Sequence, residues 1–196
     1  MPKIVDRAQM QRDILKAAVR TFSVHGFYGA TMSLIAKEAG IAKGTLYLYF
    51  DSKEALSIAF VENYFSRMEQ WLRQQGSAET LDAFIQQIET SLLIDETEAK
   101  FIPVFFEAFG PSFHAPKFRK TIADSFDRMG AFYGNNLHLL QEKGEISGES
   151  DPDALGRVLV SMIDGIMLHY GLFEQERENY QTMIREALAL FHKGLA

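Results

Sequence analysis

Residues 31–56, TMSLIAKEAGIAKGTLYLYFDSKEAL, decide the fold of the N-terminal part of this chain. Thr31 can cap a short helix, because its hydroxyl oxygen can accept from the free N–H groups of the first turn. Gly40 ends that helix, since glycine adopts a positive φ without strain. A second short helix is predicted over about residues 42–49, and a third begins at Lys53. Two helices joined by a tight turn that contains glycine are typical of the helix-turn-helix motif.

The exposed residues of this motif suit contacts with DNA. A major groove admits one α-helix, whose N-terminal residues face the base edges. The second short helix presents Lys43, Gly44 and Thr45 at that end. Tyr47 and Tyr49 can donate their hydroxyls to phosphates. The spacing therefore favours DNA binding over a small helical core with a solvated face.

Residues 7–56 resemble the N-terminal domain of the TetR/AcrR family of bacterial transcriptional regulators. The matching residues are Ala17-Ala18, Phe22, Gly26-Phe27, Thr31, Ile35-Ala36, Ala39-Gly40, Gly44-Thr45-Leu46-Tyr47, Tyr49-Phe50 and Ser52-Lys53-Glu54-Ala55-Leu56. The resemblance implies that the third helix of the chain lies in the major groove. It also implies DNA contacts from the positions of Thr31, Ser33, Thr45, Tyr47, Tyr49 and Lys53.

The charge of the chain is unevenly distributed. Residues 1–56 hold eight Lys/Arg and five Asp/Glu, whereas residues 57–196 hold twelve and twenty-one, so the net charge of −6 divides into +3 and −9. A basic N-terminal part on an acidic remainder suits a protein that meets DNA with one end only.

Composition argues against other classes of protein. The chain has no cysteine, so neither a disulfide nor a thiolate metal site is available, and its five histidines lack metal-ligand spacing. No Gly-rich phosphate loop follows a predicted strand. No stretch approaches about 18 uninterrupted apolar residues, and the N-terminus lacks the apolar segment of a signal peptide. We therefore expect a cytoplasmic protein that is not an enzyme, has no cofactor or metal, and does not enter a membrane.

The hydrophobic periodicity predicts an all-α fold of about nine helices. We assign the helix-turn-helix DNA-binding domain to residues 1–52 and a helical effector-binding and dimerisation domain to residues 53–196. Before the motif, we expect a first helix that Gly26 stops, with Phe27 and Tyr28 filling the core. A linking helix over residues 53–75 would span roughly 35 Å at 1.5 Å per residue.

Phenylalanine is concentrated between residues 99 and 118, where it occupies six of twenty positions. We predict a polar break at residues 95–98, and then a helix that holds Pro103 in its first turn. The aromatic side chains form either plain core or the wall of an apolar pocket. For the pocket we expect a lipophilic effector such as a drug or an acyl chain. Its predicted lining is Phe105, Phe109, Phe126, Met129, Tyr133, Met162 and His169, with Glu107 and Asn136 as further polar candidates.

The helix predicted after Asp151 and Pro152 is apolar on more than one face. A helix of this kind is buried on both sides, and the second side can be another subunit. The resemblance implies that the last two helices pair across a twofold axis as a four-helix bundle. The predicted dimerisation residues are Leu159, Ile163, Ile166, Ile184 and Leu188. Asp164 is interpreted as an interface or hydrogen-bonding residue in preference to a ligand contact.

These observations predict a one-component transcriptional regulator that binds a palindromic double-stranded DNA operator as a homodimer. A small apolar effector would release it, and the resemblance favours repression. The alternative is a helical small-molecule carrier or interaction module without DNA function, which would select no DNA site.

Overall fold

The computed structural model describes residues 6–110, 114–173 and 176–195. Over these ranges the chain forms nine α-helices and no β-strand, so the predicted all-α fold is confirmed. The helices are α1 (Arg7–Gly29), α2 (Met32–Glu38), α3 (Lys43–Tyr47), α4 (Lys53–Gln75), α5 (Leu81–Leu92), α6 (Glu96–Phe109), α7 (Pro116–Glu142), α8 (Pro152–Leu172) and α9 (Arg177–Leu195).

Several helices begin at capping residues, among them Thr31 and Asp151, as the sequence predicts. Thr31 and Thr80 each accept a hydrogen bond from a first-turn backbone N–H, at 3.2 Å in both cases. Asp6 and Asp151 each accept from two such groups, and Pro152 follows at the first helical position of α8. A capping side chain satisfies donors that have no partner inside the helix, so these boundaries are local properties of the sequence.

The end of α1 differs from the prediction. Gly26 breaks the regular helix at φ 65°, as expected, but three more residues continue before the chain turns. Phe27 is buried, with its ring 5.4 Å from that of Phe22. Tyr28 is 75% exposed, so the prediction that it fills the core is wrong. The reason is geometric, because the break at Gly26 directs only the first of the two rings inward.

The predicted polar break before α6 is also wrong, because the helix begins at Glu96. The Asp95 carbonyl accepts from the Ala99 N–H at 2.9 Å, which closes the first turn. Acidic residues are favourable at a helix N-terminus, where the macrodipole is positive, so polarity did not imply a loop. Pro103 consequently lies inside the helix. Of the six phenylalanines, Phe113 lies outside the described residues.

Residue contacts divide the chain into two compact units. The first unit contains Met1–Tyr64 and Pro103–Lys120, and the second contains Phe65–Ile102 and Thr121–Ala196. The backbone passes between the units within α4, α6 and α7, so each of these helices contributes residues to both. The sequence-based boundary at residues 52 and 53 stays a prediction.

Aromatic rings fill the core of the first unit. The Phe60 ring lies 6.5 Å from Phe22 and 6.2 Å from Phe105. The segment after Gly26 is held from two sides. Its Phe27 N–H donates to Glu107 Oε2 at 2.7 Å, and Lys53 Nζ donates to the Phe27 carbonyl at 2.8 Å. Side chains from α4 and α6 therefore fix the end of α1.

The second unit contains α5, α8, α9 and parts of α4, α6 and α7. Helices α7 and α8 approach so closely that a Cβ on Gly156 would overlap the Gly130 carbonyl oxygen and lie 2.6 Å from Gly134 N. Helix α8 has the length and mean hydropathy, 1.2, of a membrane span by composition alone. It is a core helix of this unit, since α5 and α9 pack against it and it buries seven residues.

Candidate functional site

Helices α2 and α3 form the helix-turn-helix that the sequence predicts. Gly40 adopts φ 67° in the turn, and the Ile41 N–H donates to the Ala36 carbonyl at 3.0 Å. Leu46 is fully buried beneath α3 and Ile35 beneath α2, so these two side chains set the angle between the helices. The remaining face of α3 is open to solvent.

Five predicted DNA-binding residues lie on or just after α3. Lys43 and Gly44 are exposed, Tyr47 is partly exposed, and Thr45 and Tyr49 are half-buried. The Lys43 ammonium lies 5.9 Å from the centre of the Tyr47 ring, so a cation and a hydroxyl share one surface. Both groups donate hydrogen bonds, as contacts to phosphate require. The α3 surface therefore has the chemistry that the sequence analysis expected.

A second cation borders this surface. The Arg7 guanidinium lies 5.8 Å from the centre of the Tyr49 ring. Arg7 is not among the predicted DNA-binding residues, since the basic residues of the first helix were interpreted as solvated charges. Its position at the start of the basic N-terminal part was the one available signal.

The other predicted DNA-binding residues differ in how accessible their polar groups are to a DNA phosphate. Ser33 is exposed on α2, and Thr31 uses its hydroxyl oxygen as a helix cap but keeps its hydroxyl hydrogen for a further acceptor. Lys53 Nζ already donates to the Phe27 and Ala30 carbonyls at 2.8 and 3.0 Å, and lies 4.5 Å from the centre of the Phe27 ring. A phosphate contact from Lys53 stays a prediction, and it would have to compete with these carbonyls.

The predicted effector-binding residues divide between the two units. Phe105 and Phe109 belong to the first unit, with their rings 5.4 Å apart. The second unit holds Phe126, Met129, Tyr133, Met162 and His169. Met129 and Tyr133 are buried there, and the Phe126 ring lies 5.5 Å from Phe65.

These assignments stay predictions, and two of the residues lie away from the interior of the unit. His169 is exposed, and its ring contacts that of Phe173 at 5.2 Å, because it lies on the open side of α8. Met162 lines an open groove between α8 and α9, not the interior of the unit. Asn136 is no free polar group, since its amide accepts from the Ala78 N–H at 2.7 Å and donates to the Phe132 carbonyl at 2.9 Å.

The predicted dimerisation residues stay a prediction, and they are buried within the single chain. All five are between 0 and 8% exposed within a single chain, so little of their surface remains for a partner. The five are Leu159, Ile163, Ile166, Ile184 and Leu188. The apolar surface that α8 and α9 leave open belongs to other positions. Val158 on α8 is 54% exposed, and Leu190 on α9 is 72% exposed. Leu190 lines a groove of about 320 Å³, whose apolar lining also includes Leu155, Met162, Ala187 and Phe191.

Two family models match nearly the whole chain. Residues 14–60 match the model described as bacterial regulatory proteins, tetR family, and residues 78–193 match the model described as BetI-type transcriptional repressor, C-terminal. The chain belongs to the TetR family. Its members are regulators of transcription that bind DNA through the helix-turn-helix, so this TetR-family protein is a DNA-binding regulator and not an enzyme.

Individual relatives agree with this assignment. The HTH-type transcriptional regulator UidR of Escherichia coli (strain K12) is 29% identical over 164 residues, which cover 79% of this chain and 78% of UidR. The uncharacterized HTH-type transcriptional regulator YxaF of Bacillus subtilis (strain 168) is 31% identical over 174 residues, or 84% and 87% of the two chains. A TetR transcription regulator from Haloarcula marismortui has the same fold, with a TM-score of 0.84 at 15% identity and coverage of 96% and 98%.

One carboxyl group in the second unit of this TetR-family regulator has a strongly shifted pKa. Burial on α8 raises the pKa of the Asp164 carboxyl from 3.8 to about 7. A buried carboxyl prefers its neutral form, because the charged form loses its hydration. Asp164 has no hydrogen-bonding partner within the described ranges, and its interpretation as an interface or hydrogen-bonding residue stays a prediction.

The first prediction concerns the pH dependence of stability. Folded Asp164 keeps its proton up to about pH 7, whereas the unfolded chain loses it near pH 4, so the free energy of unfolding falls as pH rises between these values. Asp164→Asn removes this loss. We expect the variant to exceed wild type by on the order of 2 kcal/mol at pH 8, after a discount for partial solvent contact, and by much less at pH 5. Urea titrations at the two pH values measure the difference.

Asp127→Asn provides the control for that comparison. Asp127 lies on the surface of α7, where it pairs with Arg157 at 3.2 Å. Its replacement changes the net charge equally but should leave the pH dependence as in wild type. An Asp164→Asn protein whose stability follows the wild-type pH profile would contradict the prediction.

Proposed function

We propose that this TetR-family regulator is a cytoplasmic repressor that binds a palindromic operator as a homodimer and leaves it when a small lipophilic effector binds. The DNA-binding part of this proposal rests on the solvent-exposed face of α3. Lys43 and Tyr47 project there from a helix whose other face is fixed by buried Leu46. A rigid short helix with donors on its free face fits a major groove.

The open apolar surface of α8 and α9 supports the homodimer. Leu190 is exposed and lines an apolar groove, and Val158 is exposed on α8. Exposed apolar surface of this kind marks an interaction site. Two chains related by a twofold axis would cover each other's patch and present two α3 helices to successive half-sites. We therefore assign the interface to this surface and not to the buried residues of the same helices.

An effector can act only by favouring one conformation of the dimer over another. Helix α4 contributes residues to both units, so we assign to it the transmission of a change in the second unit to the helix-turn-helix. A tenfold loss of DNA affinity needs about 1.4 kcal/mol of coupling, and DNA must weaken the effector by the same factor. The concentration of phenylalanine in residues 99–118 supports a lipophilic guest.

The second prediction tests DNA binding. Selection from random duplexes should yield an inverted repeat, whereas a carrier or interaction module would yield none. Lys43→Ala should weaken binding to all duplexes and reduce the slope of log affinity against log salt by about one. Thr45→Ala should instead change the preference among sites. Fluorescence anisotropy over a salt series measures both effects.

Lys100→Ala is the matched control, because Lys100 is exposed on α6 in the second unit. It should leave the salt slope unchanged. Lys53→Ala is a poor substitute, because it also removes the hydrogen bonds that hold the end of α1. DNA binding without any salt dependence would contradict the proposal.

A further inference from the structure

Leu48 is a large apolar side chain on the candidate DNA-binding surface, and the proposed function gives it no role. It directly follows α3 and is 73% exposed. Its backbone keeps helical angles, φ −72° and ψ −15°, so the geometry of the helix still decides the direction of its side chain. A single exposed leucine is common on protein surfaces, so exposure alone carries no conclusion. The neighbours of Leu48 on α3 are what point to a partner.

Helical geometry places Leu48 on the side of α3 that faces away from the core. Leu46, two positions earlier, is fully buried. Successive residues of an α-helix turn by about 100°, so Leu48 and Gly44 each lie about 200° from Leu46. Both are exposed. The two residues therefore share the outermost line of α3, about 6 Å apart along the helix axis.

Gly44 leaves open space on this line. Among the described residues, no atom lies within 4 Å of the position that a Cβ on Gly44 would take. Glycine weakens a helix relative to alanine, because it loses more conformational freedom on folding. No contact within the described part of the chain requires the missing side chain at Gly44. The space instead suits a partner that approaches α3 closely from outside, in front of Leu48.

The surroundings of Leu48 indicate which partner this is. The residues on either side of it in sequence are tyrosines, and each has a cation near its ring. The Lys43 ammonium lies 5.9 Å from the centre of the Tyr47 ring, and the Arg7 guanidinium lies 5.8 Å from that of Tyr49. Positive charge beside hydroxyl donors complements phosphate groups. The partner in front of Leu48 is therefore DNA, in preference to an apolar protein surface.

The chemistry of leucine decides what Leu48 can contact in DNA. Its side chain has no hydrogen-bond donor or acceptor, so it cannot bind a phosphate or a polar group on a base edge. The apolar group that a base pair presents in the major groove is the C5 methyl group of thymine. Contact with this methyl group would distinguish a T·A pair from the other pairs.

We propose that Leu48 is a specificity-determining residue that packs against the C5 methyl group of a thymine in each half-site of the operator. This inference rests on the proposed function, since it requires α3 to lie in the major groove. It assigns the apolar part of base recognition to a residue outside the predicted DNA-binding set.

Deoxyuridine tests this contact, because uracil pairs with adenine as thymine does but lacks the methyl group. Each thymine of the selected duplex is replaced in turn, in both half-sites together, and fluorescence anisotropy measures the affinity of the full-length protein. At one thymine the loss should be about fourfold for each half-site, which corresponds to about 0.8 kcal/mol for one buried carbon. In Leu48→Ala the loss at that thymine should fall below twofold over both half-sites.

Leu93→Ala is the matched control, because Leu93 is 61% exposed at the end of α5, in the second unit. It should keep the wild-type response to deoxyuridine. Leu48 is exposed, so urea titration of Leu48→Ala should match wild type, and a lost response is then not a folding defect.

The outcomes separate this inference from the proposed function. A selected inverted repeat in which no thymine responds to deoxyuridine would overturn the inference and leave the proposed function standing. A response that persists in Leu48→Ala would also overturn it, since another residue would then contact the methyl group. Failure to select any duplex would contradict the DNA-binding proposal itself, and the inference with it.

Discussion

Leu190→Asp is expected to convert the proposed homodimer to a monomer at micromolar concentration and to lower the affinity for the proposed inverted repeat by about 100-fold or more. Leu190 is 72% exposed in the single chain, beside the groove between α8 and α9. A carboxylate there would be buried without a partner on association, which costs several kcal/mol. Two monomers then bind DNA separately and lose the effective concentration that a dimer provides for its second helix-turn-helix. This effective concentration is worth about 10² to 10⁴ in affinity.

Sedimentation velocity and gel shifts measure these two effects. Leu93→Asp is the matched control, because Leu93 is 61% exposed at the end of α5 and lies outside α8 and α9. Ile163→Asp separates folding from association, since Ile163 is buried within the chain and its replacement should lower the free energy of unfolding. A Leu190→Asp protein that sediments like wild type would place the interface elsewhere.

Gly156→Ala is expected to lower the free energy of unfolding by about 3 kcal/mol or more. The new methyl group would meet backbone atoms of Gly130 and Gly134 on α7, which cannot rotate away as a side chain can. Helices α7 and α8 would have to separate, and overpacking of this kind costs about 1–3 kcal/mol even where side chains can adjust. For a chain of this size we expect a fall in Tm of about 10 °C. Differential scanning calorimetry measures it.

Gly148→Ala provides the comparison for that variant. Gly148 lies in the exposed loop between α7 and α8, where a Cβ would have no atom within 4 Å. The same chemical change should there be neutral or stabilising by up to about 1 kcal/mol, through the lower entropy of the unfolded chain. Equal losses in the two variants would mean that the close approach at Gly156 does not limit stability.

Local chemistry explains why much of the fold could be predicted. Asp6, Thr31, Thr80 and Asp151 each cap a helix through atoms two or three residues away, so their effect needs no tertiary structure. The glycine turn at Gly40 is equally local. Where polarity was taken as evidence against a helix, at residues 95–98, the interpretation failed, because a single sequence does not distinguish an acidic first turn from a loop.

The candidate DNA-binding surface was predictable because its residues are contiguous. Residues 43–49 form one short helix and its end, so the residues that face outward follow from the position of the one buried leucine, Leu46. Lys53 shows the limit of this argument. Its sequence position suggests an anion contact, but the carbonyls that it meets belong to the end of α1, more than twenty residues earlier.

The sequence by itself determined the capped helix starts, the helix-turn-helix and the resemblance to the TetR family, because each depends on residues within a few turns of one another. Only the tertiary structure decided which side of α8 and α9 stays open, since both sides are apolar and periodicity cannot tell a neighbouring helix from a second chain. It likewise decided that Gln87 Oε1 has no hydrogen-bonding partner among the described residues. The hydrogen bond between Ser91 on α5 and Tyr133 on α7 joins residues 42 positions apart, which no local pattern encodes.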